Sequence, residues 1–532
     1  MLVEDFCSEV ISDYGMKYKL RIFAFFAVIA SWFSWLNWYP GFKDGDGFYH
    51  AKLVELMRDH GVVRDFIWLP LTTLSEHFAD HHFLYHALAV PLAAIFSPLL
   101  AIKILSVALG FLVCIELFLI LRKMATPYAA AIIALLAIHP YFVLRATMGK
   151  GSGAAMLVQF GILACFLFRE RLGVFLLSMI YVWTHAGFPY AIIIAGAYFT
   201  AKIFTRSAEG LAFKENLRQV FEEEKWNLAA VFGGILAGMI INPYFPESII
   251  YYAQIVIGFG VNPLPRELTV GAEWYGVGVL ELLMFSLPMF AVLLAPIFAL
   301  ALLRRTPKWD RKLAERFAFL FFMAAGTGLL TLRSNRHAEY FLPYLAIFIG
   351  EVWRVTFPLI NPAELRLKFY ALFKNSFQKY FANTAILLLI LTPVACIGST
   401  IGLLKYQIIS WDGAREASEV IRANTEPYEI VFDGNWDFMP QLLYWNDRNR
   451  YINGLDPRFF GAKDLELALW YQKLAKHVEE LGIKKAMEKF PMRIIVMPKD
   501  LMRVKVLEAL KNDPENFRNI FENDIVVVFE RR

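Results

Sequence analysis

The sequence predicts a polytopic α-helical membrane protein of about eleven spans with a C-terminal, extracytoplasmic α/β domain. Three observations predict it. Hydrophobic residues make up 58% of the 532-residue chain and charged residues only 19%, against about 25% charged in a typical soluble protein. The charge is unevenly placed: residues 405–532 hold 20 Lys and Arg and 21 Asp and Glu, leaving 33 and 27 to the first 404. The apolar stretches of that first part approach the roughly 20 residues needed to cross a bilayer core. The same figures exclude an ordinary soluble enzyme, a disordered chain and a disulfide scaffold.

The stretches that qualify as spans, some marginally, are 20–39, 99–121, 127–143, 153–168, 172–185, 188–204, 226–242, 276–303, 316–332, 339–357 and 383–404. Residues 83–97 are apolar but short and interrupted by Pro91 and Pro98, which predicts an interfacial or re-entrant helix. The first stretch is too long for a signal-peptide core and lacks a small-residue cleavage site, so it reads as a retained anchor. With the N-terminus in the cytoplasm, the inner flanks and loops hold 23 basic residues and the outer loops about nine, as the positive-inside rule requires. Treating 83–97 as a full span by itself reverses that bias. A further pair of spans, making thirteen, keeps the same sides. The chain is thus expected in the plasma membrane, with residues 1–404 as the membrane domain and 405–532 as the outer domain. Its surplus of positive charge reports topology, and no nucleic-acid partner is expected. Cys114, Cys165 and Cys396 fall in apolar segments and no C-x-x-C pair exists, so no structural zinc site is indicated.

This topology puts the unusual polar clusters on one face: 43–86, 139–152, His185, 243–275 and 333–340. The first outer loop (40–86) is the richest. It carries Asp44, Asp46 and Asp80 with His50, His77, His81, His82 and His86. Carboxylates with imidazoles suit a divalent cation, Mg²⁺ or Mn²⁺, and Asp46, Asp80 and His82 are the candidate ligands. Leu53, Leu56 and Met57 give 48–60 helical spacing, so Asp44 and Asp46 precede a helix and sit at its N-terminus, a place that also favours an anionic ligand. Asp44 and Asp46 serve equally well as turn and cap residues.

At this point the chain resembles a family. Asp46-Gly-Phe-Tyr49-His50 is similar to the D-x-x-Y-H signature in the first outer loop of archaeal oligosaccharyltransferase catalytic subunits, members of the GT-C superfamily of membrane glycosyltransferases. Further segments resemble it in the same order: HPYFVLRATMG from His139 through Arg145, ELTVGAEW ending at Glu273 and Trp274, RSNRHAEYFLPYLAIFIG from Arg333, and GNWDFMPQLLYWNDRNRYINGLDP. Two departures stand out. The family's second acidic motif, after the Arg-x-x-x-Gly stretch, is here KGSGAAM, beginning at Lys150, without an acid. The W-W-D motif that reads an acceptor peptide is here Asn435-Trp436-Asp437-Phe438-Met439.

The resemblance implies transfer of a sugar or oligosaccharide from a polyprenyl-phosphate or -diphosphate donor to a protein, lipid or glycan acceptor. Such a reaction needs a carboxylate at the acceptor, positive charge at the leaving phosphate and polar groups at the sugar. Asp46 is the first candidate for the carboxylate, with Asp44 and Glu273 beside it. Arg333, Arg336, Arg145 and Lys150 are the candidate phosphate contacts, although Arg333 and Arg336 also suit snorkelling or pairing with Glu339. Trp436 and Asp437 suit either the acceptor or docking of the outer domain. Tyr49, His50 and His81 complete the expected site.

Two other functions fit the sequence less closely: an oligosaccharyltransferase restricted to protein asparagine, and a membrane transporter or metal permease prompted by the histidines. Transporters place ionisable groups near the bilayer midplane, whereas these spans are nearly uncharged apart from Glu116 and Glu281. In the outer domain, strands are expected at 429–433, 493–497 and 524–530 and helices at 464–489 and 500–511. That alternation predicts a largely parallel sheet with an antiparallel edge.

Overall fold

The computed structural model describes residues 2–208, 210, 212–260, 268–373, 375–406, 408–500 and 503–532. Ten of the eleven expected spans fall on a single helix each, whereas 127–143 is divided between Ala129–Ala137 and Pro140–Thr147. Among the described residues, six helices are long and apolar enough to cross a membrane, or seven if one bent pair counts as a single span. The others are shorter or more polar, such as Ser152–Phe168 and Arg171–Thr184. The stretch at 83–97 is the short helix Phe83–Ala93, too short to span.

Local chemistry sets the helix ends. Ser97 caps Pro98–Lys123 by accepting from the Leu100 N–H, and proline occupies the first helical position, where a missing N–H costs nothing. Asp310 caps Arg311–Arg333 in the same way, through the Leu313 N–H at 2.8 Å. The bent pair is Ala129–Ala137 and Pro140–Thr147, turned by 77°. Its break lies at His139, whose backbone is extended ahead of Pro140, as expected of a residue before proline. The bend brings Arg145 into the interior, where it is buried.

The outer domain is built on a five-stranded sheet. In chain order the strands are β1 (Gly41–Phe42), β2 (Ile409–Ser410), β3 (Ile430–Asp433), β4 (Arg450–Tyr451), β5 (Ile494–Pro498), β6 (Phe517–Glu522) and β7 (Val526–Arg531). The sheet order is β4-β3-β5-β7-β6. β3 runs parallel to β4 and β5, whereas β7 is antiparallel to both β5 and β6. The sheet is therefore half parallel, because the chain returns through a hairpin at Asn523 and Asp524 rather than a second helical crossover.

Four contacts fasten this domain to the first outer loop. β1 pairs antiparallel with β2, at the start of the domain. Trp68 donates its indole N–H to the Asp447 carbonyl at 2.7 Å, and its own carbonyl accepts from Tyr451 N–H at 2.8 Å. Lys463 donates to the Pro70 carbonyl at 2.9 Å. Gly45 lies so close to the domain that a Cβ there would come within 2.5 Å of the Asp437 carbonyl. Domain and loop form one surface, which covers the candidate site.

Candidate active site

The site is a cavity of about 380 Å³ between the first outer loop, the segment after the bent helix pair, the Glu273 segment and the outer domain. Asp46, Lys150, Arg145, Glu273 and Arg336 give it its charge, and His50, His81 and His82 line its other side. Asp46 opens the helix Asp46–His60, where the N-terminal amides favour negative charge. Burial raises the Asp46 carboxyl, as do Asp44 and Glu273, against the opposing pull of Lys150.

The expected phosphate contacts separate into three cases. Lys150 lies among carboxylates: its Nζ is 2.6 Å from Asp46 Oδ2, 2.9 Å from Asp44 Oδ2 and 3.6 Å from Glu273 Oε2. Arg145 bridges Glu339 at 2.7 Å and Glu273 at 2.8 Å. Arg336 reaches Glu273 at 2.8 Å, so its partner is Glu273 and not Glu339. Arg333 is exposed at its helix end and does not line the cavity. Glu273 is the hub of the cluster. Burial raises its carboxyl, but Arg336, Lys150 and Arg145 together hold it well below the usual carboxylate range.

The histidines form a second feature. Asp80 Oδ2 accepts from His86 Nδ1 at 2.6 Å, and His86 Nε2 lies 2.7 Å from His50 Nδ1. With neutral rings, His86 Nδ1 donates to Asp80, so its Nε2 accepts from His50. His50 keeps an unprotonated Nε2 and lines the cavity. Burial, then the neighbouring imidazoles, pushes His50 well below its ordinary range. His81 meets the Tyr251 hydroxyl at 2.8 Å. Tyr49 is buried against Phe66 and His50.

The residues present do not fit the expected divalent cation. Asp80 spends one oxygen on His86 and the other on the His82 backbone N–H at 2.9 Å. His82 Nδ1 lies 3.3 Å from the Thr184 carbonyl. Asp46 and Asp44 face an ammonium. Among the described residues, no three His, Cys, Asp or Glu side chains gather as a metal site.

Some site residues carried no signal in the sequence. Arg458, from the outer domain, places its guanidinium 3.6 Å from the centre of the Trp274 ring, while Arg336 lies 4.3 Å from the same ring. Asp456 neutralises Arg458 through two contacts, at 2.9 and 2.5 Å. The segment GLDPRFF reads as ordinary domain sequence, and its Asp-Pro pair signals only a helix start. Trp436 stands beside Gly271, on the segment that carries Glu273. Asp437 keeps an exposed face but turns its carbonyl and carboxylate towards Gly45. Desolvation at this crowded edge, then the charges of Asp46 and Asp44, pushes its carboxyl up to about 7. Residues 261–267 of the outer loop 243–275 lie outside the described residues.

No protein-family model and no curated protein sequence matches the chain. Solved structures do. The oligosaccharyltransferase of Archaeoglobus fulgidus in its apo form matches at 15% identity with a TM-score of 0.59, over 90% of this chain and 69% of that one. The same organism's AglB, in complex with an inhibitory peptide and a dolichol-phosphate, matches at 15% identity and a TM-score of 0.58, over 93% and 71%. ArnT from Cupriavidus metallidurans bound to undecaprenyl phosphate matches at 13% identity and a TM-score of 0.54, over 95% and 97%. These likenesses define the class by fold: the chain is an integral membrane protein that shares the fold of these structures, with a C-terminal sheet domain.

Proposed function

We propose that the protein is a membrane glycosyltransferase. It transfers a sugar or oligosaccharide from a polyprenyl-phosphate or -diphosphate donor to an acceptor on the extracytoplasmic face. One observation carries this reading. The fold is that of proteins captured with dolichol-phosphate and undecaprenyl phosphate, and here it encloses a cavity lined by carboxylates interleaved with arginines and a lysine. The basic flanks support a cytoplasmic N-terminus.

In the reaction, the acceptor oxygen or nitrogen attacks the anomeric carbon and the bond from that carbon to the phosphate oxygen breaks. The bonding pair leaves with the polyprenyl phosphate, and the acceptor proton passes to a base. Asp46 orients the acceptor and takes the proton; its raised carboxyl is better matched to that task than an ordinary aspartate. Arg336 and Arg145 stabilise the charge that grows on the phosphate, since both already point at one carboxylate, Glu273. Trp436 and Asp437, beside the Glu273 segment and Gly45, meet the acceptor.

The test is sugar transfer from a polyprenyl-phosphate sugar in proteoliposomes. Asp46→Ala is expected to lower turnover by about 100-fold or more, the lower end of general-base contributions. Undiminished turnover in that variant removes the assignment. Mass spectrometry of glycoproteins and glycolipids from cells lacking the protein identifies the acceptor class. Selective loss of asparagine-linked glycopeptides would make it an oligosaccharyltransferase in the narrow sense.

A further inference from the structure

Lys150 stands between two glycines, and both are needed to bring it where it is. A Cβ at Gly149 would come within 2.9 Å of the Phe42 ring and 3.2 Å of the Gly47 Cα. One at Gly151 would come within 2.6 Å of His82 Nδ1. The backbone therefore threads between the first outer loop and the histidine cluster with no room for side chains on either side of the lysine. It delivers the ammonium just before the helix Ser152–Phe168. A cation is disfavoured at a helix N-terminus, so something else must hold it there.

The carboxylates do so. Lys150 Nζ lies 2.6, 2.9 and 3.6 Å from Asp46, Asp44 and Glu273. These acids come from two separate segments and converge on one point, as ligands converge on a metal ion. Both Asp44 oxygens are buried, and among the described residues only the Lys150 ammonium, 2.9 Å from Oδ2, comes within donor range of them, so the charge of Lys150 is what compensates them. An ammonium with this surrounding fills the volume that a divalent ion bridging the same oxygens would need.

We propose that Lys150 is the resident cation of this site: its ammonium orients Asp46 and offsets Asp44 and Glu273, and glycosyl transfer proceeds without a bound divalent metal. The inference deepens the glycosyltransferase reading and rests on it for the reaction, though not for the metal. The lysine supplies one positive charge where Mg²⁺ or Mn²⁺ would supply two. It is covalently fixed, so no free ion has to be captured from the medium.

The experiment uses the purified full-length protein in nanodiscs, with Mn²⁺ as the probe. Wild type is expected to show no stoichiometric Mn²⁺ binding by electron paramagnetic resonance, and its transfer rate is expected to stay within twofold after EDTA. Lys150→Asp, which returns an acid to the cluster, is expected to bind one Mn²⁺. Lys150→Met is expected to lose 100-fold or more in transfer without gaining Mn²⁺ binding. One tightly bound Mn²⁺ in wild type, with transfer abolished by EDTA and restored by the ion, overturns the proposal. The wild-type measurements need no variant, so a poorly folded Lys150→Asp protein leaves them decisive. If no polyprenyl-phosphate sugar supports transfer while wild type still ignores Mn²⁺, the failure belongs to the glycosyltransferase reading, and the role of Lys150 as resident cation stands.

Discussion

Two clusters of charge sit at opposite ends of the helical bundle, and they are built differently. At the end away from the candidate site, expected to be the inner one, Lys202 meets Glu224 at 2.5 Å, Arg206 grips Glu223 through two contacts at 2.9 and 2.6 Å, and Arg206 also reaches Glu315 at 3.2 Å. Those groups lie on the helices Tyr190–Ala208, Phe213–Ile240 and Arg311–Arg333, which they tie together. At the end with the candidate site, expected to be the outer one, the charges come from loops and helix ends, surround a cavity, and leave Asp44 to share the single Lys150 ammonium with Asp46 and Glu273. Cross-linked helices with satisfied partners are a way to hold a bundle. Three crowded acids sharing one ammonium beside an open volume store unfavourable interactions, which a substrate or transition state can relieve. The inner cluster is therefore assigned to stability and the outer one to chemistry.

Mutation separates the two. The largest expected effect is Asp46→Ala, about 100-fold or more off turnover with a melting temperature close to wild type. A parallel loss of stability would mean that the outer cluster is scaffolding too. The next is Arg336→Ala, for which the donor KM is expected to rise about tenfold or more, in line with the roughly 1.5–3 kcal/mol of a charged hydrogen bond. Arg336→Lys should recover little of this, because a lysine cannot reproduce the two-pronged guanidinium contact. Recovery by lysine would show that charge alone is read. The inner cluster should behave in the opposite way. Glu315→Gln leaves the buried Arg206 short of one partner, and breaking such a pair costs up to about 3 kcal/mol. Thermal unfolding should shift down while turnover per folded molecule is kept.

The contrast also shows what the sequence made legible. Asp46 and His50, which both line the cavity, were readable as candidates because charge and hydropathy survive in a linear string. The partners were not. Lys150 reads as a phosphate contact from its charge alone, yet its flanking glycines turn it into Asp44 and Asp46. Asp80 and His82 read as metal ligands, yet Asp80 folds back on the His82 amide and spends its other oxygen on His86. Pairing of this kind depends on a few ångströms of backbone path, which residue type does not encode. In the outer domain, β5 and β7 are apolar runs that announce themselves, whereas β4 is two residues long and β6 mixes exposed and half-buried positions. Arg458 was invisible because only the docking of the domain brings it to Trp274.

A smaller effect concerns the histidine chain. If His50 keeps its free Nε2 because Asp80 fixes the His86 tautomer, Asp80→Asn should disorder that arrangement without emptying the cavity of charge. Turnover is expected to fall about tenfold, less than for Asp46→Ala, with little change in donor KM. The His50 ring nitrogens, followed by nitrogen NMR, should then change tautomer; an unaltered spectrum would remove Asp80 from any positioning role.

The smallest expected effect is a pH dependence at the inner end. Hydrogen bonds from Arg206 hold the Glu223 carboxyl at about 2, below the roughly 4.3 of a free glutamate. A depressed carboxylate contributes stability that is complete above its unfolded value and is lost as pH falls through its folded value. The window therefore lies between about pH 4 and pH 2. Glu223 is half exposed at 47%, so salt screens the pair and its share is small. Glu223→Gln should lower the melting temperature slightly at pH 6 and flatten its further decline between pH 4 and pH 2, and 1 M salt should shrink the difference between the two proteins. An acid limb that is identical in wild type and variant would assign the acid sensitivity to other groups and leave Glu223 as a solvated partner of Arg206.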